Sequence, residues 1–142
     1  MPEEPRGCRA PLNFMDKIKV LIFVESRYKA NRKRIKQIIK NTLDKNEIGG
    51  AVEVSVAIVG DRKMRELSKK YKGEDKTRNI LSFSQTEGEA VILPGDALRL
   101  GDIVLSFPQV INDAVRDEML VDDKVDQLIE HGLMHLLGLH HE

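Results

Sequence analysis

The chain's last twelve residues read His131-Gly-Leu-Met-His135-Leu-Leu-Gly138-Leu-His140-His141-Glu142. This ending constrains the fold more than any other segment. His131 and His135 are four residues apart, so on a helix they project from one face, one turn above the other. Gly138 can take the left-handed conformation that ends a helix and reverses the chain. The reversal brings His141 back toward the other two imidazoles. Three neutral imidazoles converging on one point, with a fourth position open, are what a catalytic zinc needs. The ending therefore calls for a terminal helix, a sharp turn and one zinc ion per chain. The bland alternative is a set of structural or surface histidines. It suits a lone histidine better than four within eleven residues, three of them in ligand spacing. His140 is the leftover: it points away from the metal or takes the place of His141.

A chain of 142 residues fits one domain with a real core. Lys plus Arg equals Asp plus Glu, 23 each, which argues against a strongly cationic coat for nucleic acid. Cys8 is the single cysteine, so neither an intramolecular disulfide nor a cysteine metal cluster can form. A reducing cytoplasm is the expected compartment. No apolar run is long enough for a membrane span, and no membrane partner is expected. Residues 1–16 read as a disordered tail without an apolar leader. Residues 17–142 read as a single metal-hydrolase domain.

Residues 17–25 (KIKVLIFVE) and 52–59 (VEVSVAIV) read as strands. Between them Asn31 can cap a helix carrying Ile35, Ile38, Ile39 and Leu43. Gly49-Gly50 stops it. Asp61 can cap a short helix with Met64 and Leu67, whose pattern fades by Tyr71. A polar loop, 72–78, leads to a short strand, 79–83. Residues 86–100 read as an exposed hairpin or loop, and 101–107 (GDIVLSF) as a strand. Pro108 suits the first turn of a helix. Asp122 or Asp123 can cap the last helix. The order β-α-β-α-β-β-α-α implies an α+β fold, a four-stranded mixed sheet packed with helices.

The histidine block coincides with the metzincin protease pattern H-E-x-x-H-x-x-G-x-x-H except at one place: Gly132 stands where the protease has its general-base glutamate. Without that carboxylate, peptidase activity is disfavoured and metal binding is not. The block more closely resembles the signature of the YbeY family of bacterial rRNA maturation factors, H-G-x-L-H-L-x-G-Y-D-H. Residues 67–84 (LSKKYKGEDKTRNILSFS) resemble the family's L-N-x-x-Y-R-x-x-D-x-P-T-D-V-L-S-F-P, and residues 100–106 (LGDIVLS) its L-G-D-I-V-I-S. The resemblance implies a zincin-like fold with the metal site on the C-terminal helix and following turn. It implies a zinc-dependent, single-strand-specific endoribonuclease. The implied roles are maturation of the 16S rRNA 3′ end and ribosome quality control, with RNA and the small ribosomal subunit as partners. His131, His135 and His141 are the implied ligands. Family members usually continue past the third histidine, so the natural C-terminus is expected to extend beyond Glu142.

Phosphodiester cleavage builds negative charge that cationic side chains stabilise. Lys72 and Arg78 are the candidates, against the alternative of a solvated basic loop. Lys72 aligns with the family's arginine. It keeps the charge but not the bidentate grip, which Arg78 is placed to supply. Asp102 either orients a ligating histidine or makes a turn at the strand start. Asn79 and Ser82 are weaker polar candidates. The nucleophile, a zinc-activated water or the RNA's own 2′-OH, stays open, as do the oligomeric state and the readings of another zinc hydrolase or a ribosome-associated binding factor with a structural metal. Residues 17–40 carry nine Lys or Arg, and residues 113–130 seven Asp or Glu. The expected result is a basic face set away from an acidic helix. Tyr28 or Tyr71 would serve any base stacking.

Overall fold

The structure is a computed structural model; it describes residues 18–48, 51–84, 92–93 and 97–138. Residues 1–17, Gly49-Gly50 and the last four residues, with His140 and His141, lie outside the described set. Runs of Val, Ile and Leu form β1 (Ile18–Val24), β2 (Val52–Val59), β3 (Ile80–Ser84) and β5 (Ala97–Ser106), with a two-residue β4 (Ile92–Leu93). The helices are α1 (Arg32–Lys45), α2 (Asp61–Lys72), α3 (Phe107–Arg116) and α4 (Val121–Leu136). The sheet order is β1-β2-β5-β3, with β4 paired only to β5. β1, β2 and β5 are parallel, and β3 and β4 are antiparallel to β5. The mixed α+β sheet is as expected, and β4 with the start of β5 fills part of the stretch read as a hairpin.

The two faces of the sheet are covered unequally. On one face α1 and α4 bury Ile35, Ile39, Leu43, Ile129 and Leu133 against Val54, Val56, Ile58, Ile103 and Leu105. Each such side chain contributes about 1.5–3 kcal/mol when fully buried. On the other face α2 lays Met64 and Leu67 over Val59, Leu81 and Val104. Beyond α2 no described helix covers that face, and Leu21 and Phe23 of β1 are exposed at 42% and 59%.

Asn31 caps α1 as expected, its side chain accepting from the Arg34 amide at 3.0 Å. Asp61 does not cap α2: Gly60 holds the cap position, and the carboxylate of Asp61 is turned to other donors. Leu120, not an aspartate, occupies the cap position of α4. Asp122 and Asp123 stand instead in its first turn, where carboxylates favour the positive end of the helix dipole.

The basic and acidic segments are only partly set apart, against the expected separation. α1 packs on α4, and Arg34 donates to Asp126 Oδ2 at 2.9 Å and to Asp123 Oδ1 at 2.6 Å. The hydrogen bonds to Asp126 and Asp123 hold the guanidinium pKa above its ordinary value. Charge segregated along the sequence is thus partly paired in space, because the acidic stripe of α4 is the neighbour of α1.

Candidate metal centre

His131 and His135 stand one turn apart on α4, His131 exposed and His135 half-buried. Period-2 alternation on β3 sends Leu81 and Phe83 to the α2 face, and Ile80 and Ser82 to the α4 face. Ser82 Oγ lies 2.5 Å from His135 Nδ1. A hydroxyl on Nδ1 fixes the ring orientation and suits an imidazole that offers Nε2 to a metal. Reasoning from the sequence ranked Ser82 low, although the alternation Leu81, Ser82, Phe83 already puts it on the face opposite the two apolar residues.

Gly132 explains how α4 comes so close. A Cβ built there would lie 3.1 Å from Ile80 Cδ1 and 3.3 Å from Ile103 Cδ1. The glycine lets the helix backbone rest on β3 and β5. A side chain at this position would press on both isoleucines, which would have to give by a few tenths of an ångström.

A cavity of about 280 Å³ is lined by Lys72, Arg78, Ser82, His131 and His135 over Ile80. Two of the expected ligands and both expected cations are therefore brought together. His141 lies outside the described residues, and among those described no three metal-ligating side chains converge. Gly138 has φ 74°, the left-handed conformation expected of the turn. His131 and His135, with Nδ1 of His135 engaged by a hydroxyl, form a donor pair that fits zinc.

Lys72 is the last residue of α2, not part of the following loop; Gly73 ends the helix at φ 70°. The segment that carries Arg78 is tied at several points. Arg65 Nε donates to Asp75 at 2.8 Å, and Thr77 Oγ1 donates to Asp61 Oδ1 at 3.1 Å. Asn79 Nδ2 donates to Asp113 Oδ2 at 2.8 Å. Asn79 is thereby a structural tie to α3. Asp61 also accepts from Ser106 Oγ at 2.7 Å and Gln109 Nε2 at 3.1 Å. Burial pushes the Asp61 pKa up, but the bonds from Ser106, Gln109 and Thr77 outweigh it and hold the carboxyl below its ordinary 3.8. Arg78 itself pairs with Glu74 through Nη2, while its buried Nε has no hydrogen-bond partner among the described residues. Glu74, absent from the sequence reading, partly counters the charge that Arg78 offers the cavity.

Asp102 is not brought to the histidines. The β2–β5 register slips between Glu53 and Val54, leaving Leu100 as the extra residue. Gly101 takes φ 147°, where a Cβ would lie 2.0 Å from the Phe83 carbonyl oxygen. This bulge puts Arg99 and Asp102 on the same open face, whereas residues three apart on a regular strand point to opposite sides. Arg99 Nη2 donates to Asp102 Oδ1 at 2.5 Å and to Ser55 Oγ at 3.1 Å, and Nη1 donates to Glu53 at 2.9 Å. Asp102 thus belongs to a polar cluster on the other side of the sheet.

A family model described as Endoribonuclease YbeY matches residues 22–142. Curated relatives carry the same name. One from Acinetobacter baylyi is 35% identical over 111 residues, 78% of this chain and 70% of the relative. Another from Syntrophus aciditrophicus is 41% identical over 90 residues, 63% of this chain and 55% of the relative. A third from Roseiflexus castenholzii is 32% identical over 109 residues, 76% of this chain and 69% of the relative. The fold is similar to the solution structure of a Thermotoga maritima protein, with a TM-score of 0.55 and 21% identity over 88% of this chain and 75% of that one. With the family model matching from β1 to the last histidines, the chain belongs to the Endoribonuclease YbeY family.

Proposed function

We propose that this chain is a zinc-dependent endoribonuclease acting on single-stranded RNA, with His131, His135 and His141 as the zinc ligands. The observation that carries the reading is the shared cavity, in which Lys72 and Arg78 face the same space as His131 and His135. Two cations beside two imidazoles suit a phosphodiester, and the relatives' name, endoribonuclease, gives the matching chemistry. The chemistry a bound zinc supplies is activation of a water near neutral pH and polarisation of a phosphoryl oxygen. Ser82 holds the His135 ring in register. Lys72 offers a point charge to a non-bridging oxygen, and Arg78 offers a planar donor fork. Gly132 supplies no base, which disfavours a peptidase-like reading. The family resemblance supports work on the 3′ end of 16S rRNA, ribosome quality control and contact with the small ribosomal subunit in the cytoplasm.

The test is metal analysis of the native protein beside a His135→Ala variant, with cleavage of unstructured RNA in the presence and absence of a chelator. The expected outcome is one zinc per chain, lost in the variant, and cleavage that chelation abolishes. Equal metal in both proteins would refute the ligand assignment, and cleavage that survives chelation would remove zinc from the reaction.

A further inference from the structure

We propose that the open face of the sheet is a stacking platform for the bases of single-stranded RNA, built by Phe23, Tyr71 and Phe83. The proposal rests on the RNA-cleaving reading of the histidine cavity and extends it to the rest of the substrate.

A groove of about 490 Å³ lies on this face between β1 and the end of α2. Phe23 and Tyr71 line it while exposed at 59% and 53%. The Tyr71 and Phe83 rings meet at 4.7 Å between centroids, tilted by 57°. Lys70 Nζ stands 5.1 Å from the Tyr71 ring centroid. Aromatic rings left uncovered beside a cation are what sequence-tolerant binding of single strands uses, because every base has a π-face.

Continuity with the histidine cavity selects RNA as the occupant. Tyr71 lines the groove and its neighbour Lys72 lines the cavity. Phe83 lines the groove and its neighbour Ser82 lines the cavity. The two spaces therefore border the edge strand β3 from its two faces, and strands in a sheet are about 4.8 Å apart. An RNA strand whose phosphate lies between Lys72 and His135 needs only to round that edge for its next bases to reach Tyr71 and Phe83. The groove also matches a base in polarity, with apolar walls for its faces and Ser55 and Asp102 on the floor for its edge. Lys19 and Lys70 stand exposed on strand and helix beside it, placed for the backbone.

The test uses metal-loaded protein and a fluorescein-labelled oligoadenylate protected from cleavage by 2′-O-methyl and phosphorothioate groups. Fluorescence anisotropy gives Kd for wild type, Phe23→Ala, Tyr71→Ala and Tyr71→Phe, with Val115→Ala on α3 as the distant control. Phe23 and Tyr71 are mostly exposed, so their removal leaves the core intact. Loss of one stacked base raises Kd about tenfold in each alanine variant, whereas Tyr71→Phe and Val115→Ala stay near wild type. The same backbone without bases binds wild type and both alanine variants alike. An unchanged Kd in Phe23→Ala and Tyr71→Ala overturns the platform. So does a fall in sedimenting mass in those variants without a change in Kd, which would mark the face as a contact between copies. The two readings fail separately. Weakened binding beside His135-independent cleavage keeps the platform and removes the histidine reading. Metal-dependent cleavage with unchanged Kd does the reverse.

Discussion

Ser82 and Phe83 are neighbours in the chain, yet they stand on opposite faces of one short strand. Ser82 turns to α4, touches His135 and lines a small cavity with two cations. Phe83 turns to α2, touches Tyr71 and lines a larger, mostly apolar groove. The same contrast appears at the end of α2, where Tyr71 and Lys72 divide between the two spaces. The helix-covered side can hold groups rigidly, because α4 is fixed against the sheet through Gly132 and a continuous apolar layer. The open side cannot orient a reacting atom so firmly, but it offers area. Rigid positioning suits bond cleavage and open area suits binding.

Substitutions on the covered side should act on chemistry or on packing. The largest effect is expected for Lys72→Ala, which should slow RNA cleavage about 100-fold while leaving the zinc content unchanged. An unaltered rate would place Lys72 with the solvated surface and leave the cavity with Arg78 alone. Next is Gly132→Val, which overpacks the contact with Ile80 and Ile103 and should lower stability by about 1–3 kcal/mol in urea unfolding. A variant as stable as wild type would show that α4 can move off the sheet, and the rigid side would no longer be rigid. Ser82→Ala should weaken zinc binding about tenfold in a competition titration, since it removes the partner of His135 Nδ1. The same substitution should leave the open face's affinity for RNA unchanged, which separates the two sides directly.

The smallest effect concerns the tie between them. Asp61→Asn removes the anion that Ser106, Gln109 and Thr77 hold. It should cost about 1 kcal/mol at neutral pH. The folded-state pKa of Asp61 lies below the ordinary value, so the carboxylate stabilises the fold fully above pH 3.8 and loses that contribution as pH falls below it. Wild type and variant should therefore converge in stability under acid unfolding. A gap that persists at low pH would mean that packing, not charge, dominates at this position.

Several features were legible without coordinates. Alternation marked the strands, and helical spacing marked α1 and α4. The histidines at 131 and 135, with Gly138 beyond them, marked the terminal helix and its left-handed end. The place of Lys72 was legible only through family resemblance, because a basic loop by itself is most often a solvated one, and Arg78 departs from the family pattern. Ser82 was legible in principle from the alternation of β3. Asp102 was not, because its side of the sheet depends on the bulge at Leu100 and Gly101, and that bulge is a relation between β5 and β2. Likewise the caps of α2 and α4 misled, since aspartates that look like caps found stronger partners in Ser106, Gln109 and Arg34.

The sequence by itself determined the local periods, the histidine spacing on α4 and the glycine that leaves no base at position 132. These are properties of a few neighbouring residues, so the backbone geometry of one element decides them. Only the tertiary structure decided that the basic α1 lies against the acidic α4, that Asp102 faces away from the histidines, and that Lys72 and Tyr71 serve different spaces. Those are choices of register, face and neighbour. They are made by burial and by charge pairing between segments as far apart as Arg34 and Asp126, which local sequence does not encode.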